Sequence, residues 1–298
     1  MPYKYLSDIN LKLHAIGMGT WKYHGGIETI RKALQLGPCL IDTAEGYGTE
    51  EIIEKAVKGL RDQAILATKV WPTHFRYKDL IKAAENSLRS LQTDYIDIYQ
   101  LHWPNPTVPI SETMQAMESL VDAGKVRFIG VCNFSMGQLK KAEAVMTRHK
   151  ILFNQVSYSL INRDIEQHLL PYCATNKIMV IAYSPLSNNL RAIQALDRLN
   201  ALNTIGRATG KTNAQIVLNW CIRKANVVAI PKTDSTRRVK EHRFTAGWYL
   251  SPQHVELLEY SIKSPRRPFE RRLRKGALWL LELTGLRKPI YLQTRNKV

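Results

Sequence analysis

The 298-residue chain predicts an α/β fold: a parallel (β/α)8 TIM barrel with an N-terminal β-hairpin and an atypical basic C-terminal tail. Two observations carry that expectation. Eight short apolar runs alternate with helix-period segments, as a closed parallel sheet wrapped in helices requires. No linker, internal repeat or low-complexity segment interrupts the body. The structural rival is a doubly wound sheet, which normally places G-x-G-x-x-G after its first strand. Here G-M-G (17–19) runs into T-W, so it reads as a strand end where backbones approach closely.

Taken in order, residues 3–14 fit a small hairpin capping the barrel floor. The strand-like runs are A-I-G-M-G (15–19), C-L-I-D (39–42), A-I-L-A-T-K (64–69), Y-I-D-I-Y-Q-L-H (95–102), V-R-F-I-G-V-C-N (126–133), I-L-F-N-Q (151–155), I-M-V-I-A-Y (178–183) and V-V-A-I-P-K (227–232). Helical spacing recurs between them. In 77–91 the apolar positions Leu80, Ile81, Ala84, Leu88 and Leu91 share a face. The segment 111–123 offers Ser111 as N-cap and Gly124 just past its end, and 213–223 is a third helix. The organisation expected is a barrel domain over 1–263 and a basic extension over 264–298.

Apolar residues make up 45% of the chain, ample for a core, and no run of about 18 apolar residues could span a bilayer. The start, M-P-Y-K-Y-L-S-D-I-N, lacks the layout of a signal peptide. Cys39, Cys132, Cys173 and Cys221 are dispersed, with no C-x-x-C, which favours reduced thiols in a cytoplasmic protein. The formal charge is +18, but from Ser261 onward eleven Lys/Arg face two Glu, so that tail holds half the excess. No basic module interleaved with aromatics is visible, and nucleic acid is not an expected partner.

Chemistry collects at the strand ends: Asp42, Lys69, His102, Asn133, Gln155, Tyr183 and Lys232. In a parallel barrel these ends open on one face, where barrel enzymes keep their sites. One such Asp alone would be an ordinary helix cap. Asp, Lys and His together on one rim, with Tyr47 between Gly46 and Gly48, suit a different task. An unperturbed phenol has a pKa near 10, and an ammonium beside it favours ionisation. Asp42 would keep Lys69 charged, Lys69 would lower the Tyr47 pKa toward working pH, and His102 would supply an N–H to a carbonyl oxygen. The glycines free the loop to bring Tyr47 over the mouth. Trp21, Trp71 and Trp103 follow strand ends and are placed to line a substrate pocket with Tyr47 and His102, with loop packing the plainer reading.

With these residues the chain resembles the aldo-keto reductase family from residue 10 to about 245. The matching stretches are G-M-G-T-W (17–21), I-D-T-A-E-G-Y-G (41–48), T-K-V-W-P (68–72), D-Y-I-D-I-Y-Q-L-H-W-P (94–104), G-K-V-R-F-I-G-V-C-N-F-S (124–135), N-Q-V-S-Y (154–158), A-Y-S-P-L (182–186) and I-P-K-T (230–233). The resemblance implies a nicotinamide cofactor, NADPH ahead of NADH, and a catalytic tetrad of Asp42, Tyr47, Lys69 and His102. It further implies that Tyr183 stacks on the nicotinamide, that Asn133 and Gln155 bond its carboxamide, and that Thr20, Trp21 and Asp42 lie at the same end. Ser184, Leu186 and Ser187 match the pyrophosphate loop. Lys232, Thr233 and Arg238 match a 2′-phosphate pocket, with Arg237 the alternative if the register shifts by one, and Glu241 and His242 lie toward the adenine. Cys132 stands where the family often has Ser, and His242 where it has Asn.

The activity so implied is reduction of a small aldehyde or ketone. A cofactor-binding regulatory barrel with little turnover is the alternative. A metal-dependent hydrolase using Asp42, Glu45 and His102 is disfavoured because no H-x-H or H-x-x-E-H occurs. The tail departs from the family. Over 269–284, R-R-L-R-K precedes A-L-W-L-L-E-L; as a helix it would favour packing on the barrel over contact with an anionic membrane surface.

Overall fold

The protein is described by a computed structural model over residues 2–6, 9–187 and 189–263. The expectations for 264–298 lie outside these residues. Strands β1 (Tyr3–Leu6) and β2 (Leu11–His14) pair antiparallel, with Tyr3 opposite His14. They form the expected floor hairpin: Leu6, Leu11 and Leu13 pack against the barrel-interior residues Leu40, Ala67, Ile98, Phe153, Ile181 and Val228.

Eight parallel strands follow: β3 (Met18–Gly19), β4 (Cys39–Asp42), β5 (Ala64–Val70), β6 (Ile96–Leu101), β7 (Val126–Cys132), β8 (Ile151–Ser157), β9 (Met179–Tyr183) and β10 (Val227–Ala229). Each corresponds to one of the eight apolar runs. Neighbours pair in chain order from β3 to β10. Backbone bonds close the ring: Gly17 N–H donates to Ala229 O at 2.8 Å, and Ala229 N–H to Ala15 O at 2.9 Å. At this seam a Cβ on Gly17 would stand 2.7 Å from Leu40 O, so only glycine fits the first strand there. The G-M-G run is a close-approach site, as its sequence implied.

Helices α1 (Ile27–Gln35), α2 (Glu50–Val57), α3 (Tyr77–Leu91), α4 (Ile110–Asp122), α5 (Met136–Glu143), α6 (Leu169–Thr175), α7 (Leu190–Gln194), α8 (Ala201–Thr209), α9 (Asn213–Cys221), α10 (Thr236–Arg243) and α11 (Pro252–Ser261) surround the sheet. Helix α3 has the predicted bounds. Helix α4 starts one residue early, and its N-cap is Pro109, not Ser111. Proline presets φ for helix entry and Pro109 O accepts from Glu112 N–H at 3.1 Å, leaving Ser111 inside the first turn. Helix α9 is held by a reciprocal capping box between Thr212 and Gln215.

Two-residue periodicity explains the site. Side chains alternate across a strand, so Leu40, Ala67, Ile98, Phe153 and Ile181 face the interior. Two positions on, the same face presents Asp42, Lys69, Gln100, Gln155 and Tyr183. The apolar plug therefore ends in a polar layer at the C-terminal mouth.

Candidate active site

Asp42 closes β4 and Lys69 lies one residue before the end of β5; both are almost fully buried. Lys69 Nζ donates to Asp42 Oδ2 at 2.8 Å and to Thr43 O at 2.6 Å. Asp42 Oδ1 accepts from Gln155 Nε2 at 2.6 Å. Burial works against the charged Lys69, but the Asp42 carboxylate outweighs it and holds the ammonium's pKa above its ordinary value. A pair like this adds little net stability, whereas removing one partner strands the other charge in the interior.

Tyr47 rides on a short 3-10 turn, Glu45–Tyr47, that leaves through Gly48 at φ +68°. That left-handed exit is where glycine is needed, while Gly46 is buried inside the turn. Tyr47 Oη lies 3.4 Å from His102 Nε2, and Lys69 Nζ sits 4.7 Å from the Tyr47 ring centre. The structure thus brings together all four tetrad residues predicted from sequence. It reverses the expected sign of the phenol's shift. Burial pushes the Tyr47 pKa up to about 12, because desolvation of a phenolate outweighs the pull of Lys69, and Asp42 opposes that pull. His102 is driven well below its usual pKa by burial and by the Lys69 charge, so it is a neutral imidazole. Neutral imidazole can donate from one nitrogen only; Nδ1 is buried with no partner among the described residues, and Nε2 faces Tyr47.

The loop bearing Tyr47 is tied at both ends by hydroxyls. Thr49 Oγ1 meets Thr43 Oγ1 at 2.7 Å and Thr20 Oγ1 at 2.9 Å, and Thr20 also donates to Asp42 O at 2.9 Å. Thr20, expected beside a cofactor, is fully buried and acts as a brace. Thr43 and Thr49 escaped the sequence reading, although T-A-E-G-Y-G-T shows a hydroxyl at each end of the loop. Glu45 was weighed only as a metal ligand. Its Oε1 instead accepts from Trp71 N–H and from His74 Nδ1.

The remaining predicted residues divide by position. Asn133, at φ +62°, donates to His102 O at 3.3 Å and accepts from Tyr183 Oη at 2.9 Å, so these two line one side of the mouth. Trp71 packs edge-on to His102 with ring centres 5.0 Å apart. Trp21 is 43% exposed, with Lys22 Nζ 4.8 Å from its ring centre. Trp103 is half-buried beyond His102.

A dinucleotide fits the chemistry of the donors past β9 and β10. Ser184 and Ser187 are non-glycine residues at φ +50° and +54°, a strained backbone in which Ser187 N–H donates to Ser184 O at 2.8 Å. Leu186 lies half-buried between them, and Ser187 Oγ bonds Ser159 Oγ at 2.8 Å. Lys232, Arg237 and Arg238 are exposed around the start of α10, with Thr233 buried beneath. Cations at a helix N-terminus suit a phosphate. Lys232 is paired here with Asp234, whose Oδ1 accepts from His24 and Gly25 N–H and so joins the first and last loops. Farther along α10, Glu241 Oε1 accepts from Thr212 Oγ1, and His242 is buried with its pKa lowered to about 4, chiefly by desolvation.

Phenol, ammonium, carboxylate and neutral imidazole thus share the C-terminal mouth of the barrel, the face where barrel enzymes carry their sites. A family profile described as the Aldo/keto reductase family matches residues 15–259, and the chain belongs to that family. It is 45% identical over 213 residues to aldo-keto reductase YhdN of Bacillus subtilis, spanning 64% of this chain and 63% of that protein. It is 35% identical to methylglyoxal reductase YeaE of Escherichia coli over 86% of this chain and 94% of the relative. Among solved structures, an aldo/keto reductase from Klebsiella pneumoniae in complex with NADP and acetate superposes with a TM-score of 0.81. It shares 36% identity, over 90% of this chain and 98% of that one.

Proposed function

We propose that the protein reduces small aldehydes and ketones to alcohols with NADPH, with Tyr47 as the general acid. The observation that carries this reading is the Tyr47 hydroxyl 3.4 Å from neutral His102, above a Lys69 ammonium fixed by Asp42. Bound NADPH supplies the hydride. His102 Nε2–H and the Tyr47 hydroxyl converge on one point, where a carbonyl oxygen accepts both hydrogen bonds. As negative charge develops on that oxygen, Tyr47 releases its proton to it and Lys69 stabilises the phenolate left behind. A phenol near pKa 12 is protonated at neutral pH and is still a stronger acid than an alcohol, so the transfer runs toward product. Lys232, Thr233 and Arg238 are the groups that would hold the 2′-phosphate and favour NADPH over NADH, while Asn133 and Gln155 present amides suited to the carboxamide. The likeness to methylglyoxal reductase YeaE supports a small, reactive carbonyl substrate.

The test is NADPH consumption with a nitrobenzaldehyde in the native protein and in Tyr47→Phe. Phenylalanine keeps the ring and removes the proton. Turnover should fall by at least about a hundredfold with NADPH affinity unchanged, within the range expected for loss of a general acid. Retained turnover would remove Tyr47 from the role, and no consumption by the native protein with any carbonyl would leave a binding barrel without catalysis.

A further inference from the structure

Tyr47, Lys69 and His102 lie on or beside three different loops, after β4, β5 and β6, and a reacting geometry needs those loops held in register. We propose that Glu45 is a positioning residue that fastens the Tyr47 turn to the chain just past Lys69 and thereby fixes Tyr47 against His102. This rests on the reductase reading of the site.

The geometry is specific. Glu45 begins the 3-10 turn whose third residue is Tyr47. Its Oε1 receives Trp71 N–H at 2.5 Å and His74 Nδ1 at 3.0 Å, so one oxygen gathers two donors from the turn after β5. Trp71 is two residues beyond Lys69, and its ring meets His102 edge-on at 5.0 Å and 89°. The Tyr47 ring also meets His102, at 5.6 Å and 69°. His102 therefore contacts two aromatic rings whose backbones Glu45 joins. Asn105, three residues past His102, repeats the device on the next loop: its Nδ2 donates to Pro72 O at 2.8 Å. Glu45 thus joins the β4 and β5 loops, and Asn105 joins β5 and β6. The carboxylate is mostly buried, which strengthens its hold on both donors. His74 is held above its usual pKa, foremost by its hydrogen bond to Glu45, consistent with a charge-assisted contact.

Glutamine retains an acceptor oxygen at the same reach, whereas alanine removes it. In the full-length protein, Glu45→Ala should lower kcat for aldehyde reduction roughly 10- to 100-fold, because a displacement near 1 Å can cost about a hundredfold. NADPH affinity by fluorescence titration should stay within about twofold, and Glu45→Gln should recover most of kcat, since charge is secondary to geometry here. A second readout needs neither cofactor nor turnover. Ring currents from Trp71 and Tyr47 shift the His102 imidazole resonances, identified by their loss in His102→Gln, and these should move in Glu45→Ala but stay near the native positions in Glu45→Gln. If the alanine variant fails to fold, the glutamine variant decides: a native-like His102 spectrum with near-native kcat supports the brace. Unchanged kcat and unchanged His102 resonances in Glu45→Ala overturn it, as does equal damage from both substitutions. Should the native protein show no turnover while the resonances respond as described, the reductase reading fails and the brace stands.

Discussion

With Tyr47 in the proposed role of general acid, the direction of its pKa shift sets the pH behaviour of both reaction directions. The phenol is raised from 10 to about 12 by burial, so it stays protonated through neutrality. Carbonyl reduction uses the protonated form and should be nearly flat from pH 6 to about 9 as far as this group decides it. Alcohol oxidation uses the phenolate, whose fraction grows roughly tenfold per pH unit below the pKa. Paired pH profiles of the two directions check this, and an oxidation rate flat from pH 7 to 10 would contradict the assignment. The tetrad was legible in sequence because strand period and strand ends are local facts: Asp42, Lys69 and His102 each finish an apolar run. The sign of the Tyr47 shift was not legible. Desolvation depends on everything packed around the ring, and Asp42 both anchors Lys69 and opposes its effect on the phenol. Glu45 was hidden for the same reason, since its two donors belong to a turn that meets it only in the folded chain.

Among the elements, the first barrel strand is the tightest. A methyl group on Gly17 would meet Leu40 O at 2.7 Å, Leu40 Cβ at 3.0 Å and Ile230 Cγ2 at 3.2 Å. None of these is the free end of a flexible chain except the isoleucine methyl, so the backbone must shift. Gly17→Ala should destabilise the protein by about 1–3 kcal/mol, as overpacking does, read as a lower denaturant midpoint. Gly26→Ala is the control: nothing among the described residues lies within 4 Å of its added Cβ and its φ is −76°, so its midpoint should barely change. Equal effects from the two substitutions would refute the close-approach account. All eight strands were readable from apolar runs, and helix α3 to the residue, because amphipathic spacing reports which face is covered. The start of α4 differs by one residue from its sequence expectation, because Ser111 is the commoner capping type while Pro109 takes the cap position.

For the molecule as a whole, buried histidines contribute to sensitivity toward acid. His14 and His242 are buried and each has its pKa lowered from 6.5 to about 4, by desolvation first and then by Arg243 and Arg238 respectively; Ile16 and Glu241 pull the other way. The unfolded chain takes up protons below about 6.5 while the folded chain resists until about 4. Their contribution is therefore full above pH 6.5 and is lost as pH falls toward 4, by a magnitude on the order of 3 kcal/mol for each group. Urea unfolding at pH 7 and at 4.5 should show His242→Gln losing less stability between the two pH values than the native protein. Parallel losses would show that His242 does not titrate on unfolding. The seam of the barrel has a consequence for synthesis. Ile16 bridges to Ala229, partners more than two hundred positions apart, so in a chain emerging from the ribosome the first strand can pair with β4 early but keeps one open edge until nearly the last of the barrel has been made. An open strand edge of that kind is a template for wrong pairing. The nascent polypeptide thus passes through a long aggregation-vulnerable interval before the ring closes.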